Sequence, residues 1–224
     1  MHSRKYENAA RTCDVVFVNS AFTGRDVVDT LDVPPERVAV ARPAPKPVFR
    51  PDGDAADLGG PYVLTVATLE PRKNLQALVE AHRLLGDELL LAVAGGEGWG
   101  EQPELDHAGI RRLGFVSDEE LARLYRGAAA AVYPSRFEGF GIPVLEAMAC
   151  GCPVVVSAHA SLDEAAGDAG VRADPDDPAA IAAAIELAVR DRDRLATAGL
   201  RHVRGFSWRA VGETFLRGYE AALR

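Results

Sequence analysis

Cysteine is scarce in this 224-residue sequence: Cys13, Cys150 and Cys152 are the three. An odd trio without secretory features argues for reduced thiols rather than a disulfide framework. The "CGC" pair invites a metal or redox reading, but zinc sites of that kind want further Cys or His at ligand spacing. Small buried side chains where a helix turns into a strand fit better. No apolar run approaches the roughly 20 residues that a helix needs to cross a bilayer. An excess of basic charge is also missing, since 25 Lys and Arg stand against 33 Asp and Glu and leave −8. A nucleic-acid binder carries a basic stripe, so that class is excluded. The opening "MHSRKYENAARTCDVVFVNS" lacks the apolar stretch of a signal peptide. The expectation is a cytoplasmic protein whose membrane contact, if it has any, is peripheral.

What is present is apolar material, 48% of the chain, in an alternating order. "YVLTVAT" (62–68), "ELLLAVAGG" (88–96), "IRRLGFV" (110–116), "AAAVYPS" (129–135), "PVVVSA" (153–158) and "AGVRAD" (169–174) read as strands. Between the first two, "NLQALVEAHRLL" (74–85) lines Leu75, Leu78, Val79, His82 and Leu85 along one helical face. "SDEELARLYRGA" (117–128) opens with a capping box from Ser117 to Glu120. Asp177 caps a later helix with Pro178 in its first turn. Strands buried on both faces and alternating with helices predict an α/β fold with a doubly wound parallel sheet. The first fifty residues give a strand, a helix capped by Ser20 and a second strand; a Pro- and Gly-rich segment follows and reads as a linker. A strand–helix–strand unit is too small to close its own core. It is expected to be the end of a domain whose beginning is absent.

Ligands of such sheets sit at the carboxyl ends of the strands. Three segments fall there. "SRFEGFGIPVLEAMACGCPVVVS" (135–157) brackets a glycine loop with Glu138 and Glu146. Pro143 suits the first turn of a helix and Gly151 its stop. Gly139 and Gly141 allow close backbone approach. A free helix N-terminus offers unpaired N–H groups and partial positive charge, and carboxylates grip paired hydroxyls. This physics suggests two polyol grips around an anion cradle; a capped helix with two surface acids fits the spacing equally. "TLEPRKNL" (68–75) brings Arg72 and Lys73, either diphosphate-binding cations or a solvated basic turn. "GGEGWG" (95–100) fails the dinucleotide fingerprint because the glycine positions do not fit and no helix opens behind it. "LGFV" (113–116) lays Phe115 and Val116 either beside a nucleotide base or in the core. The "DPDD" cluster (174–177) is a cap rather than a metal site. His82 is a packed core histidine, and His159 is the histidine nearest the ligand edge.

Together these segments resemble family 4 retaining glycosyltransferases of the GT-B fold, in their C-terminal half. The signature is Glu-x7-Glu, "EGFGIPVLE" (138–146), followed by "AMACGCPVVVS". "TLEPRKNL", "GGEGWG", "LGFVSDEELARLYRGA", "SLDEAAGDAG" and the terminal "FSWRAVGETFLRGYEAALR" (206–224) match family blocks in order. The resemblance implies that Glu138 holds sugar hydroxyls and that the backbone of Gly139, Phe140, Gly141 and Ile142 binds sugar and phosphate oxygens. It implies that Glu146 grips the ribose and Lys73 the diphosphate, with Phe115 and Val116 near the base. Many members carry an arginine where this chain has Thr68, which is kept as a donor-binding candidate; Arg72 then supplies the charge, as in the mannosyltransferase-like branch that reads "LEPRKN".

The implied activity is retaining transfer of a hexose, mannose from GDP-mannose being the expected case, to a glycan or lipid-linked acceptor, with no metal and no further cofactor. The catalytic roles fall to Glu138, Lys73 and Arg72. The implied division is 1–50 as remnant of an acceptor domain and linker, 51–205 as the Rossmann-like donor domain, and 206–224 as a crossover helix. Without the rest of the acceptor domain, Trp208, Phe215, Leu216 and Tyr219 are expected to leave an apolar patch. The alternative is an isolated nucleotide-sugar-binding module, inactive by itself. A phosphorylase or epimerase of similar fold fits the ordered blocks less well.

Overall fold

A computed structural model describes residues 3–86, 89–96, 98–99, 105 and 109–223. Glu97 and Gly100 of the glycine-rich loop, Glu88 of the second predicted strand and His107 lie outside the described residues. The chain divides into two units, Met1–Ala44 with Phe206–Arg224, and Pro45–Gly205.

The smaller unit opens with α1 (Ser3–Thr12), a helix that periodicity alone does not announce. β1 (Val16–Val18) follows, then α2 (Ala21–Leu31). Ser20 caps α2 by accepting the Thr23 N–H at 2.9 Å, and Asp32 closes it in the left-handed region. β2 (Val38–Val40) pairs parallel with β1, Val16 opposite Val38.

In the larger unit β3 (Tyr62–Val66) leads through a 3-10 turn, Pro71–Lys73, into α3 (Leu75–Leu84). β4 (Leu90–Ala94) and β5 (Ile110–Gly114) follow, then α4 (Asp118–Gly127). The expected capping box is there, with the Ser117 and Glu120 side chains each accepting the other's backbone N–H. β6 (Ala130–Tyr133), α5 (Ile142–Ala149) and β7 (Val154–Ser157) come next. The short α6 (Asp163–Ala166) and β8 (Val171–Ala173) lead to α7 (Pro178–Arg190) and α8 (Arg192–Val203). Asp177 caps α7, accepting from Ala179 and Ala180. α9 (Trp208–Ala222) returns to the smaller unit, where Phe215 packs on Phe17 with ring centroids 4.4 Å apart. Trp208, Leu216 and Tyr219 of α9 are exposed.

Among the described residues the larger unit holds a six-stranded sheet in the order β5-β4-β3-β6-β7-β8, every neighbour parallel. Alternate strand residues face opposite sides. Val63, Leu91, Val93, Val132 and Val155 pack with Leu78, Val79, Ile181 and Ile185 of α3 and α7 on one face. Tyr62, Leu64, Ala131 and Val154 point to the other, the side of α4 and α5. The Pro-rich stretch before β3 is pinned rather than free. Phe49 is buried edge-on to Tyr125, and Arg126 Nε donates to the Asp54 carbonyl at 2.7 Å.

The strand order sets the position of the site. From β3 the chain steps outward to β4 and β5, then returns to pair β6 against the other edge of β3. The reversal leaves a crevice at the carboxyl ends of β3 and β6, where loops diverge to opposite faces.

Candidate functional site

The loop after β3 is built around a turn that aims two cations. Thr68 Oγ1 donates to Glu70 Oε1 at 2.7 Å, and Arg72 Nε donates to Glu70 Oε2 at 2.9 Å. The Thr68 hydroxyl first, then the neighbouring cations, holds the Glu70 carboxyl below its ordinary range. Asn74 ends the turn in the left-handed region, φ 55°, a conformation Asn tolerates. Its buried amide donates to the Pro134 carbonyl at 3.1 Å and the Pro175 carbonyl at 2.6 Å. The Arg136 N–H donates to the Arg72 carbonyl at 2.9 Å. The β3 loop is thus fastened to the loops after β6 and β8.

Those bonds bring Arg72 and Lys73 onto Glu138. Lys73 Nζ donates to Glu138 Oε1 at 2.6 Å, and Arg72 Nη1 donates to Oε2 at 3.0 Å. Both carboxylate oxygens are engaged. The Lys73 and Glu138 side chains are 14% and 13% exposed, so the pair sits where charge interactions exceed those of an open surface. The Glu138 N–H donates to Ser161 Oγ at 3.0 Å.

Three residues on, Gly141 stands at φ 96° as the N-cap of α5. The positive φ favours glycine, and a Cβ there would lie 2.7 Å from the Leu162 Cδ2 methyl, which would have to give way. Phe140 is buried, which turns the loop, while Ile142 is exposed. The helix therefore opens with no side-chain cap, its first N–H groups facing the crevice end of the sheet.

Glu146 lies about one turn into α5. Burial first, then the Asp118 charge, push its carboxyl up to about 7, with Lys46 opposing. Lys46 itself pairs with Asp118 at 2.6 Å. Glu146 is thus a half-buried acid beside an ion pair drawn from the Pro-rich stretch and α4.

Of the remaining sequence-expected residues, Phe115 is 87% exposed just beyond β5, so the core alternative for it is wrong. Val116 is half-buried and Thr68 exposed. The glycine-rich loop has a structural explanation. A Cβ on Gly95 would lie 2.0 Å from the Ala67 carbonyl oxygen, and one on Gly98 2.1 Å from that of Leu69. Cys150 and Cys152 are buried, and His82 Nε2 meets the Leu89 carbonyl at 2.6 Å. Arg136 pairs with Asp176 of the acidic cluster. Among the described residues no group of three or more His, Cys, Asp or Glu is placed to hold a metal ion, and no helix is long and apolar enough to cross a membrane.

Sequence reasoning did not single out Asn74, Ser161 or the Lys46–Asp118 pair. Asn74 carried a usable signal, an Asn between a Pro-led turn and a helix. Lys46 carried none, because its partner is 72 residues away.

The chain matches known proteins over this same region. The family model described as glycosyl transferases group 1 covers residues 51–201. The O-antigen chain mannosyltransferase B of Escherichia coli is 43% identical over 173 residues, 71% of this chain and 45% of its own. The D-inositol 3-phosphate glycosyltransferase of Frankia alni is 35% identical over 230 residues, 88% of this chain and 56% of its own. Among solved structures, HepE of Anabaena in complex with UDP and glucose superposes with a TM-score of 0.83 at 18% identity, covering 95% of this chain and 64% of its own. Sucrose-phosphate synthase of Thermosynechococcus elongatus gives 0.82 at 24% identity over 96% and 59%. The chain spans about half the length of the curated relatives it matches.

Proposed function

The chain belongs to the glycosyl transferases group 1 family, and from that membership we propose that it carries the donor-binding half of a nucleotide-sugar-dependent retaining glycosyltransferase. The transferred group is a hexosyl unit, mannosyl in the reading favoured by the Escherichia coli mannosyltransferase relatives. The acceptor is a glycan or a lipid-linked sugar. HepE, with UDP and glucose bound, supports a nucleotide-sugar ligand for this fold.

The observation that carries the reading is the convergence of Arg72 and Lys73 on Glu138 beside the uncapped start of α5, at the sheet's reversal point. When the glycosidic bond of the donor breaks, negative charge grows on the departing diphosphate and positive charge on the sugar ring. Lys73, Arg72 and the α5 N–H groups stabilise the first; preorganised donors act strongly where water is excluded. Glu138 holds hydroxyls of the transferred ring. Glu146 grips the ribose, and Phe115 with Val116 lies toward the base. Thr68 steadies Glu70 and through it Arg72. The chemistry uses these side chains without a divalent metal, and chelation by EDTA will leave donor affinity unchanged; a loss restored by magnesium would overturn that part. The same reading puts the protein in the cytoplasm, at the inner face of the membrane where a lipid-linked acceptor is met.

A second reading is a nucleotide-sugar-binding module without turnover. One experiment serves both. The chain is titrated calorimetrically with GDP, UDP, GDP-mannose and UDP-glucose, and donor hydrolysis is followed in parallel. Binding with turnover supports the enzyme, and binding alone supports the module. Failure to bind every one of the four sinks both.

A further inference from the structure

We infer that Ser161 and His159 are positioning residues for Glu138, and that together they set how strongly the site prefers a sugar-bearing nucleotide over the bare diphosphate. The inference rests on the reading that Glu138 holds the donor's sugar.

Glu138 is fixed from two sides. Its carboxylate is held by Lys73 and Arg72, but those bonds leave the backbone of the loop undetermined. The backbone is held by a residue 23 positions away, whose hydroxyl accepts the Glu138 N–H at 3.0 Å. Ser161 is 2% exposed, in a 3-10 turn beyond β7. A buried hydroxyl has one proton to place. It goes to His159 Nδ1, 2.8 Å away, because that nitrogen already accepts the Ser161 backbone N–H.

His159 Nδ1 also receives the Ser161 backbone N–H at 3.2 Å, which makes the imidazole the N-cap of that turn. A backbone N–H can only donate. Nδ1 is therefore the accepting nitrogen of the ring. The Phe137 ring stands edge-on to the imidazole, centroids 6.1 Å apart, and belongs to the residue preceding Glu138. The relay runs from the imidazole through the serine hydroxyl to the glutamate N–H. It ties the loop after β7 to the loop after β6.

The two contacts are separable by substitution. S161A removes the acceptor for the Glu138 N–H while keeping the size of the side chain. H159A removes the cap. H159N keeps an acceptor oxygen where Nδ1 stood, since Asn is a strong N-cap residue.

The test measures two quantities on the whole chain. The first is the affinity ratio of UDP-glucose to UDP, and of GDP-mannose to GDP. Loss of one net hydrogen bond is expected to lower the ratio about three- to tenfold in S161A and H159A, with H159N restoring it. Affinity for the bare diphosphates stays within about twofold, inside the same uncertainty. The second is amide hydrogen exchange at Glu138 in the ligand-free chain, expected to quicken in S161A and H159A and to return in H159N. Unchanged exchange in both alanine variants overturns the relay. Quickened exchange with an unchanged affinity ratio overturns the positioning role. Failure of the unsubstituted chain to bind any of these nucleotides overturns the donor-site reading itself, a separate result. A merely structural role for Ser161 would lower all four affinities together, which also overturns the inference.

Discussion

Glu146 and Glu138 are both acids of one glycine loop and helix, yet their surroundings set them opposite tasks. Burial beside Asp118 raises Glu146 to about 7 from an ordinary 4.5. In the free chain its contribution to stability is therefore fully present below 4.5 and is lost as pH rises toward about 7, because the folded state holds the proton longer than the unfolded one. In the proposed role of a carboxylate gripping a ribose it would act with the other sign, and nucleotide affinity is then expected to rise as pH passes upward through about 7. Calorimetry on either side of that value checks this; the slope should flatten in E146Q after subtraction of the nucleotide's own titration. E146A should weaken nucleotide binding about ten- to a hundredfold, more than E138A does, as befits a lost charged hydrogen bond. Glu138 already occupies both cations proposed for the diphosphate. Replacing its charge with an amide in E138Q will tighten binding of inorganic pyrophosphate about three- to tenfold. Weaker pyrophosphate binding in E138Q would show that the carboxylate does not compete for Lys73 and Arg72. The paired acids were legible in the sequence as types and spacing. Their environments were not, since the Lys46–Asp118 pair beside Glu146 joins residues far apart in the chain.

Elements were legible where a local signal and a tertiary need coincide. The α4 capping box and the Asp177 cap of α7 are written in three or four residues, and each formed as expected. The apolar runs of β3, β4, β6 and β7 were equally plain because both faces of each strand are buried. α1 was not, since its stripe is short and polar residues dominate it. Glycine was legible as permission but not as necessity. Gly141 looked like a place for close ligand approach, whereas its φ of 96° and the nearby Leu162 methyl also make it a structural requirement. G141A should cost about 1–3 kcal/mol, the range for a strained left-handed residue. It should tilt the start of α5 as well, so thermal unfolding and diphosphate affinity will fall together. A variant that melts earlier but binds as before would separate the helix start from the anion.

At the scale of the whole molecule, the order of strands could be reasoned only as a class. A doubly wound sheet was implied by alternation, but which strand edges meet is decided by pairings such as Val63 with Ala130 that no local pattern encodes. The same holds for the two-unit division, which joins the first residues to the last helix. Asn74 belongs to this scale. One amide group joins the ends of three strands, since Pro134 follows β6, Pro175 follows β8 and Asn74 itself follows β3. N74G keeps the left-handed backbone available yet leaves two carbonyls unanswered, at a cost of about 2–4 kcal/mol. That corresponds to a fall in melting temperature of roughly 4–16 °C for a chain of this size. A fall within about 1 °C would sink this assignment. The bond to Pro175 has a wider consequence. Asn74 is the neighbour of Lys73, so the residue next to the site's lysine is hydrogen-bonded to the loop beyond β8 at the far edge of the sheet. Saturating donor should therefore raise the melting temperature of the unsubstituted chain by the linkage that any native-state ligand exerts. In N74G the loops after β6 and β8 lose their shared tie to the loop that carries Lys73, and the rise produced by the same donor is expected to be smaller.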